Sequence, residues 1–285
     1  MIVLPEKLSG RANMVRTFLF LALLSGIVPP AGRAADSATT RPAVHIDHAG
    51  LSKLGWQLAC IGSTFGDRST FAMIDLLHSM NFHHIELSNG QFDPWDIAAS
   101  DALVAKLKSV HMDVVSIGII DPGTNESQAR TFFDLGKRLK IKTLVADPSD
   151  ASLQMLDDLA NEYRINVAIV NFAKPGNHWD PAALRSLLGG RSARLGVCAD
   201  ITAWRASGIS SVNAVNILAG RILETRLTDF EGPEAAEALG ELKQAKFRGI
   251  CAVGCPTQPE DDMIDRFTHS INAFSKIVGV LSGVQ

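Results

Sequence analysis

The chain is poor in aromatic residues and in charge. Phe, Trp and Tyr make up 6% of its 285 residues, with a single tyrosine, so a platform for stacking nucleobases is not expected. Charged residues make up 20% and the net charge is -3, which gives no electrostatic case for nucleic acid or an anionic membrane. There are four cysteines, Cys60, Cys198, Cys251 and Cys255. The chain is long enough to bury a large core without disulfides, and Cys251-x3-Cys255 has no second Cys or His cluster with which to build a zinc site. Buried, unpaired thiols are the simplest reading, with a pairing of Cys60 to Cys251 or Cys255 left open. The dinucleotide fingerprint is missing, since Gly62-Ser-Thr-Phe-Gly66 is not GxGxxG. No apolar run reaches the roughly 20 residues that a spanning helix needs.

What is present begins at the N-terminus. Lys7, Arg11 and Arg16 precede an apolar run over 17–28, and small residues follow, ending Gly32-Arg33-Ala34-Ala35. This pattern predicts a signal peptide over 1–34, cut after Ala34, and an exported, periplasmic or secreted protein. No cysteine lies near the cut to carry a lipid, so no stable membrane anchor is expected after cleavage. Residues 35–47 read as a polar, flexible lead-in. Residues 48–285 then form one domain, with no linker to divide it.

Short apolar runs alternate with amphipathic stretches through that domain. Strands are predicted over 55–61, 84–87, 113–119, 142–146, 166–171, 194–200, 221–228 and 249–253. Helices are predicted over 69–80, 101–111, 126–139, 152–163, 181–188, 212–218, 233–246 and 261–278. Alternation of this kind implies parallel pairing through helical crossovers. The strands are almost continuously apolar, as strands buried on both faces are. Eight units in about 250 residues favour an α/β fold, a closed (β/α)8 TIM barrel with eight parallel strands, over an open doubly wound sheet.

In such a barrel, chemistry sits at the carboxyl ends of the strands. Reading those ends gives Glu86, Ser116, Asp147, Asn171, Asp200, Arg226, Thr228 and Asp229, with Lys174, His178 and Trp179 in the loop after strand five. Carboxylates, amides and guanidinium groups together suit a hydroxyl-rich small molecule. Glu86, Asp200 and Asp229 are the candidates for moving protons. Asn171, Lys174, His178, Trp179 and Arg226 are the candidates for holding substrate, Trp179 by packing its face on a sugar ring. His83 and His84 precede strand two, on the opposite, stability-bearing end, and are not expected to be ligands.

Residues 153–229 resemble the sugar phosphate isomerase/epimerase (xylose isomerase-like) family. The likeness rests on Leu-Ala-Asn-Glu-Tyr-Arg-Ile-Asn-Val-Ala-Ile at 159–169 and on His178-Trp-Asp-Pro181. It continues through Leu195-Gly-Val-Cys-Ala-Asp200, Ser207-Gly208 and Gly220-Arg-Ile222, and ends at Leu227-Thr-Asp229. Ile85-Glu-Leu87 and Phe247-Arg-Gly249 fit it as well. The resemblance implies a xylose isomerase-like barrel with a divalent metal at its mouth, polarising a sugar's oxygens while carboxylates move a proton. Its ligands would come from the ends of strands five to eight. Here those positions read Val170-Asn171-Phe172, Asp200, Arg226 and about Gly254, with Ala203 in place of a further His. Asp200 is the one ligand retained, so no metal site is assigned. Arg226 is expected to face Asp200 from the next strand and to supply the missing positive charge.

Two readings follow from the resemblance. One is an exported isomerase or epimerase acting on a sugar or sugar derivative. The other is a non-catalytic carbohydrate-binding barrel that has lost its metal. A nuclease like other relatives of this fold would need a His and Glu cluster that the sequence lacks. The sequence leaves open the sugar, catalytic activity and oligomeric state.

Overall fold

A computed structural model describes residues 43–66, 68–228, 233–255 and 260–283, with 260–262 described as backbone only. The expected signal peptide and most of the lead-in lie outside the described residues.

Eight strands run β1 (Gln57–Ile61), β2 (His84–Leu87), β3 (Asp113–Ile120), β4 (Thr143–Ala146), β5 (Asn166–Val170), β6 (Leu195–Asp200), β7 (Ile222–Leu227) and β8 (Ile250–Val253). They pair in sequence order, all in parallel, and β8 closes on β1 through Gln57↔Ile250, Leu58↔Cys251, Ala59↔Ala252 and Cys60↔Val253. The architecture is the closed (β/α)8 barrel expected from the alternation.

The helices are α1 (His48–Leu54), α2 (Thr70–Ser79), α3 (Ile97–Ser109), α4 (Glu126–Leu139) and α5 (Leu153–Tyr163). They continue with α6 (Pro181–Leu187), α7 (Ile201–Ala206), α8 (Ser211–Ile217), α9 (Pro233–Gln244) and α10 (Glu260–Ser282). Side-chain caps start most of them. Asp47, Ser69, Asp96, Asn125, Asp180, Asp200 and Ser210 each accept a backbone N–H of the first turn. Between barrel and helices lies one large apolar layer, with Trp204, Phe82, Phe133, Phe267 and Phe274 fully buried. Inside the barrel, Ala59, Ile61, Val115, Ile250 and Ala252 pack together, as do Val145, Ala168, Val170 and Cys198.

Several boundaries differ from expectation. Strand one begins at Gln57, because Gly55 takes φ 75° to end α1, a helix the apolar pattern did not reveal. The third helix starts at Ile97, four residues early, because Asp96 accepts from Ala99 N at 2.9 Å. Helix α7 follows β6 directly and was not anticipated. Residues 43–47 are not a free lead-in. His45 N donates to Asn272 Oδ1 at 2.7 Å, Asn272 Nδ2 donates to Ala43 O at 3.1 Å and Asp47 N donates to Ser275 Oγ at 3.3 Å, which ties the segment to α10.

Candidate functional site

The mouth is built where strands that must be apolar admit charge. In β7, Ile222-Leu-Glu-Thr-Arg-Leu227, Glu224 and Arg226 are two residues apart and therefore share a face. Register puts that face inside the barrel, since Glu224 lies beside Ile250 and Arg226 beside Ala252. Glu86 of β2 lies beside Ile61 and Ser116, so it points inward too. Ala252 and Ala59, adjacent on β8 and β1, are small enough to leave space between β7 and β2. Across that space the Arg226 guanidinium forms an ion pair with Glu86, donating through Nη2 to Oε1 and through Nε to Oε2.

Glu86 and Glu224 are completely buried and Arg226 is 8% exposed. Ser116 Oγ donates to Glu224 Oε1 at 3.1 Å, while Glu224 Oε2 has no hydrogen-bond partner among the described residues. Burial pushes the Glu224 carboxyl well above its ordinary range, and the neighbouring Glu86 pushes it further. Burial opposes the charge on Arg226, but the groups facing it, Glu86 first and then Cys198 and Glu224, together more than compensate and hold the guanidinium protonated. Cys198, also inside, is pushed well up by burial and by Glu224.

Asp200 and Arg226 are register neighbours, as expected. Their expected ion pair is replaced by the one between Arg226 and Glu86. Asp200 has other work: its Oδ1 accepts from Ala203 N at 2.9 Å and caps α7. Burial raises its pKa, against the opposing Ala203 bond and the charge of Arg226.

Asn171, read as a substrate-holding residue, spends its amide on the backbone of Asp200. Its Nδ2 donates to Asp200 O at 3.0 Å and its Oδ1 accepts from Asp200 N at 2.7 Å. It extends the β5–β6 ladder one step in side-chain form and fixes where Asp200 sits. His178 Nε2 lies 3.0 Å from Pro148 O and 3.6 Å from Asp147 Oδ1, so it fastens two loops together. Asn177 Nδ2 reaches both Asp147 oxygens at 3.1 Å and adds to that fastening. Trp179 presents its face to the Lys174 ammonium, 4.8 Å from the ring centroid, so that face is covered by a cation. Lys174 itself is exposed on the rim. Asp229 lies outside the described residues. The structure thus brings together Glu86, Arg226, Asp200 and Asn171, and places Lys174, His178 and Trp179 in a separate loop cluster.

Glu224 was missed. Its signal was available: a charged residue inside an apolar strand, two positions before another.

The described side chains do not fit a divalent cation. No three His, Cys, Asp or Glu residues among them are placed to hold one. A guanidinium stands where the resemblance gives a His ligand. At Gly254, where it gives a Glu, a Cβ would lie 2.7 Å from Thr64 Oγ1.

This fold is that of the xylose isomerase-like TIM barrels. Among solved structures the chain is similar to a D-psicose 3-epimerase determined in the presence of D-fructose, at 14% identity, covering 80% of this chain and 100% of that one, with TM-score 0.65. It is similar to a xylose isomerase domain protein from Alicyclobacillus acidocaldarius, at 12% identity, covering 80% and 99%, with TM-score 0.64. It is also similar to the 3-keto-D-glucoside 4-epimerase of E. coli, at 11% identity, covering 78% and 98%, with TM-score 0.62. No protein-family model matches the chain, and no curated protein matches it.

Proposed function

We propose that this barrel is an exported protein that acts on or binds a sugar or sugar derivative at its carboxyl-terminal mouth, with the metal centre that the resemblance implies dismantled. The observation that carries the reading is the Glu86–Arg226 pair. It puts a fixed cation in the place where the resemblance implies a metal. The neighbours named as sugar epimerases support the substrate class. Arg226 and Asp200 give the mouth donors and acceptors suited to hydroxyl and carbonyl oxygens.

A second reading, a carbohydrate-binding barrel without turnover, is favoured by one observation. Asp200 and Asn171 are already committed to capping and to strand pairing, which leaves few free groups for proton transfer. Thermal shift with a panel of ketoses and aldoses, in EDTA and then in Mn2+, tests the common ground. Stabilisation by a sugar in EDTA is the expected result, and no sugar effect under either condition overturns the reading. Carbon-13 NMR of the stabilising sugar then separates the two forms, because new sugar signals appear only if the protein turns it over. N-terminal sequencing of protein recovered from outside the cytoplasm tests export, with a mature start at Ala35 expected.

A further inference from the structure

We propose that Glu86 and Glu224 hold one proton between them beneath Arg226, so that the mouth contains an internal acid–base pair. The proposal rests on reading that mouth as the ligand site.

Two carboxyls and one guanidinium converge inside the barrel, and both carboxyls are fully buried. If both were ionised, one negative charge would stand unpaired where water cannot reach it, a state that protein interiors avoid by keeping a proton. With one proton retained the three groups sum to zero. Geometry indicates where it rests. Glu86 faces the guanidinium through both of its oxygens. Glu224 has Ser116 on Oε1 and no partner on Oε2. Oε2 is therefore the oxygen free to carry the proton, and Glu86, the register neighbour of Ser116, is the carboxylate beside it. The upward displacement of Glu224 by burial and by Glu86 agrees with this placement. The other titratable groups facing the pair are Cys198 and Asp200 of β6, Cys60 of β1 and Cys251 of β8, all held toward their neutral forms by burial.

The pair communicates with the mouth through Arg226. Glu86 engages Nε and one N–H of Nη2, so Nη1 and the second N–H of Nη2 are the donors left for a ligand. A ligand oxygen that draws on the guanidinium loosens its hold on Glu86 and leaves that carboxylate short of its cation. The proton then moves from Glu224 Oε2 toward the Glu86 carboxylate and stays within the pair. Ligand binding and proton position are thus linked.

The test is infrared difference spectroscopy of the full chain with carbon-13 in its glutamate carboxyls. At neutral pH the wild type is expected to show one protonated-glutamate carbonyl band. Glu224→Gln removes it. Glu86→Gln removes it as well, because Glu224 then becomes the partner of Arg226 and gives up its proton. Absence of the band in the wild type overturns the proposal, and so does its survival in Glu86→Gln, which would mark Glu224 as an isolated buried acid. If either variant fails to fold, the wild-type band is still decisive for the proton, and Glu86→Asp supplies the second comparison, with a displaced band expected and an unmoved one contradicting the sharing. None of these readouts needs a sugar, so their failure is distinct from failure of the sugar reading.

Discussion

Arg226 and Glu86 are 140 positions apart in sequence and meet across a barrel whose facing residues are alanines. A buried pair of this kind is felt most when one half is taken away. Arg226→Met leaves Glu86 buried without a counterion beside a second carboxyl, and is expected to cost about 3–5 kcal/mol in urea unfolding. Glu86→Leu combined with Arg226→Met should recover most of that loss, since a well-packed apolar pair is tolerated where a lone charge is not. Equal losses in the single and double variants would show that the pair carries no special energy. Gly254 marks a second constraint. Gly254→Glu, the side chain the resemblance implies, drives a Cβ to within 2.7 Å of the buried Thr64 Oγ1. We expect about 1–3 kcal/mol of destabilisation and no gain of Mn2+ binding by equilibrium dialysis. Most of the individual mouth residues were legible in sequence, because charge at a strand's end stands out. The partnership of Arg226 was not, because choosing Glu86 over its register neighbour Asp200 depends on which inward positions are small.

At the scale of elements, the seam between β5 and β6 depends on one side chain. Asn171 makes two hydrogen bonds to the Asp200 backbone, and Asp200 in turn caps α7. Asn171→Ala should cost about 1–3 kcal/mol by leaving those backbone groups unpaired, and should speed amide exchange at Asp200 and Ala203. Unchanged exchange there would detach Asn171 from the positioning of Asp200. Helix α1 and the start of β2 give a pH prediction. His48 of α1 lies with its ring 5.0 Å from His83, and its pKa is lowered by burial and then by His83. His84 at the start of β2 is lowered by burial. A histidine whose folded pKa lies below its unfolded one binds its proton more readily when unfolded. Stability is therefore expected to be full above about pH 6.5 and to fall as pH drops through the lowered values. His48→Gln with His84→Gln should flatten the slope of urea midpoint against pH, and an unchanged slope would contradict it. Long amphipathic helices such as α4 were legible from periodicity. Helices α1 and α7 were not, because α1 precedes the first predicted strand and α7 follows β6 with no intervening loop, so neither falls in the strand–helix alternation; each starts at a cap, Asp47 and Asp200.

At the scale of the molecule, eight β/α units close because β8 finds β1 in register. That closure buries all four cysteines as free thiols on β1, β6, β8 and the turn after it. A thiol reagent added to the native protein should therefore react slowly, and four equivalents should react after unfolding without reductant. Fewer than four would mean that a disulfide forms. Barrel closure was legible from the count and spacing of apolar runs. The content of the barrel's mouth was legible as a set of residues, and its wiring only from coordinates. The most direct measurement is anomalous diffraction from a crystal soaked in Mn2+. The expected result is a guanidinium bridging to Glu86 with no anomalous peak beside Asp200. A manganese ion ligated by Asp200, with Arg226 turned away from Glu86, would contradict it.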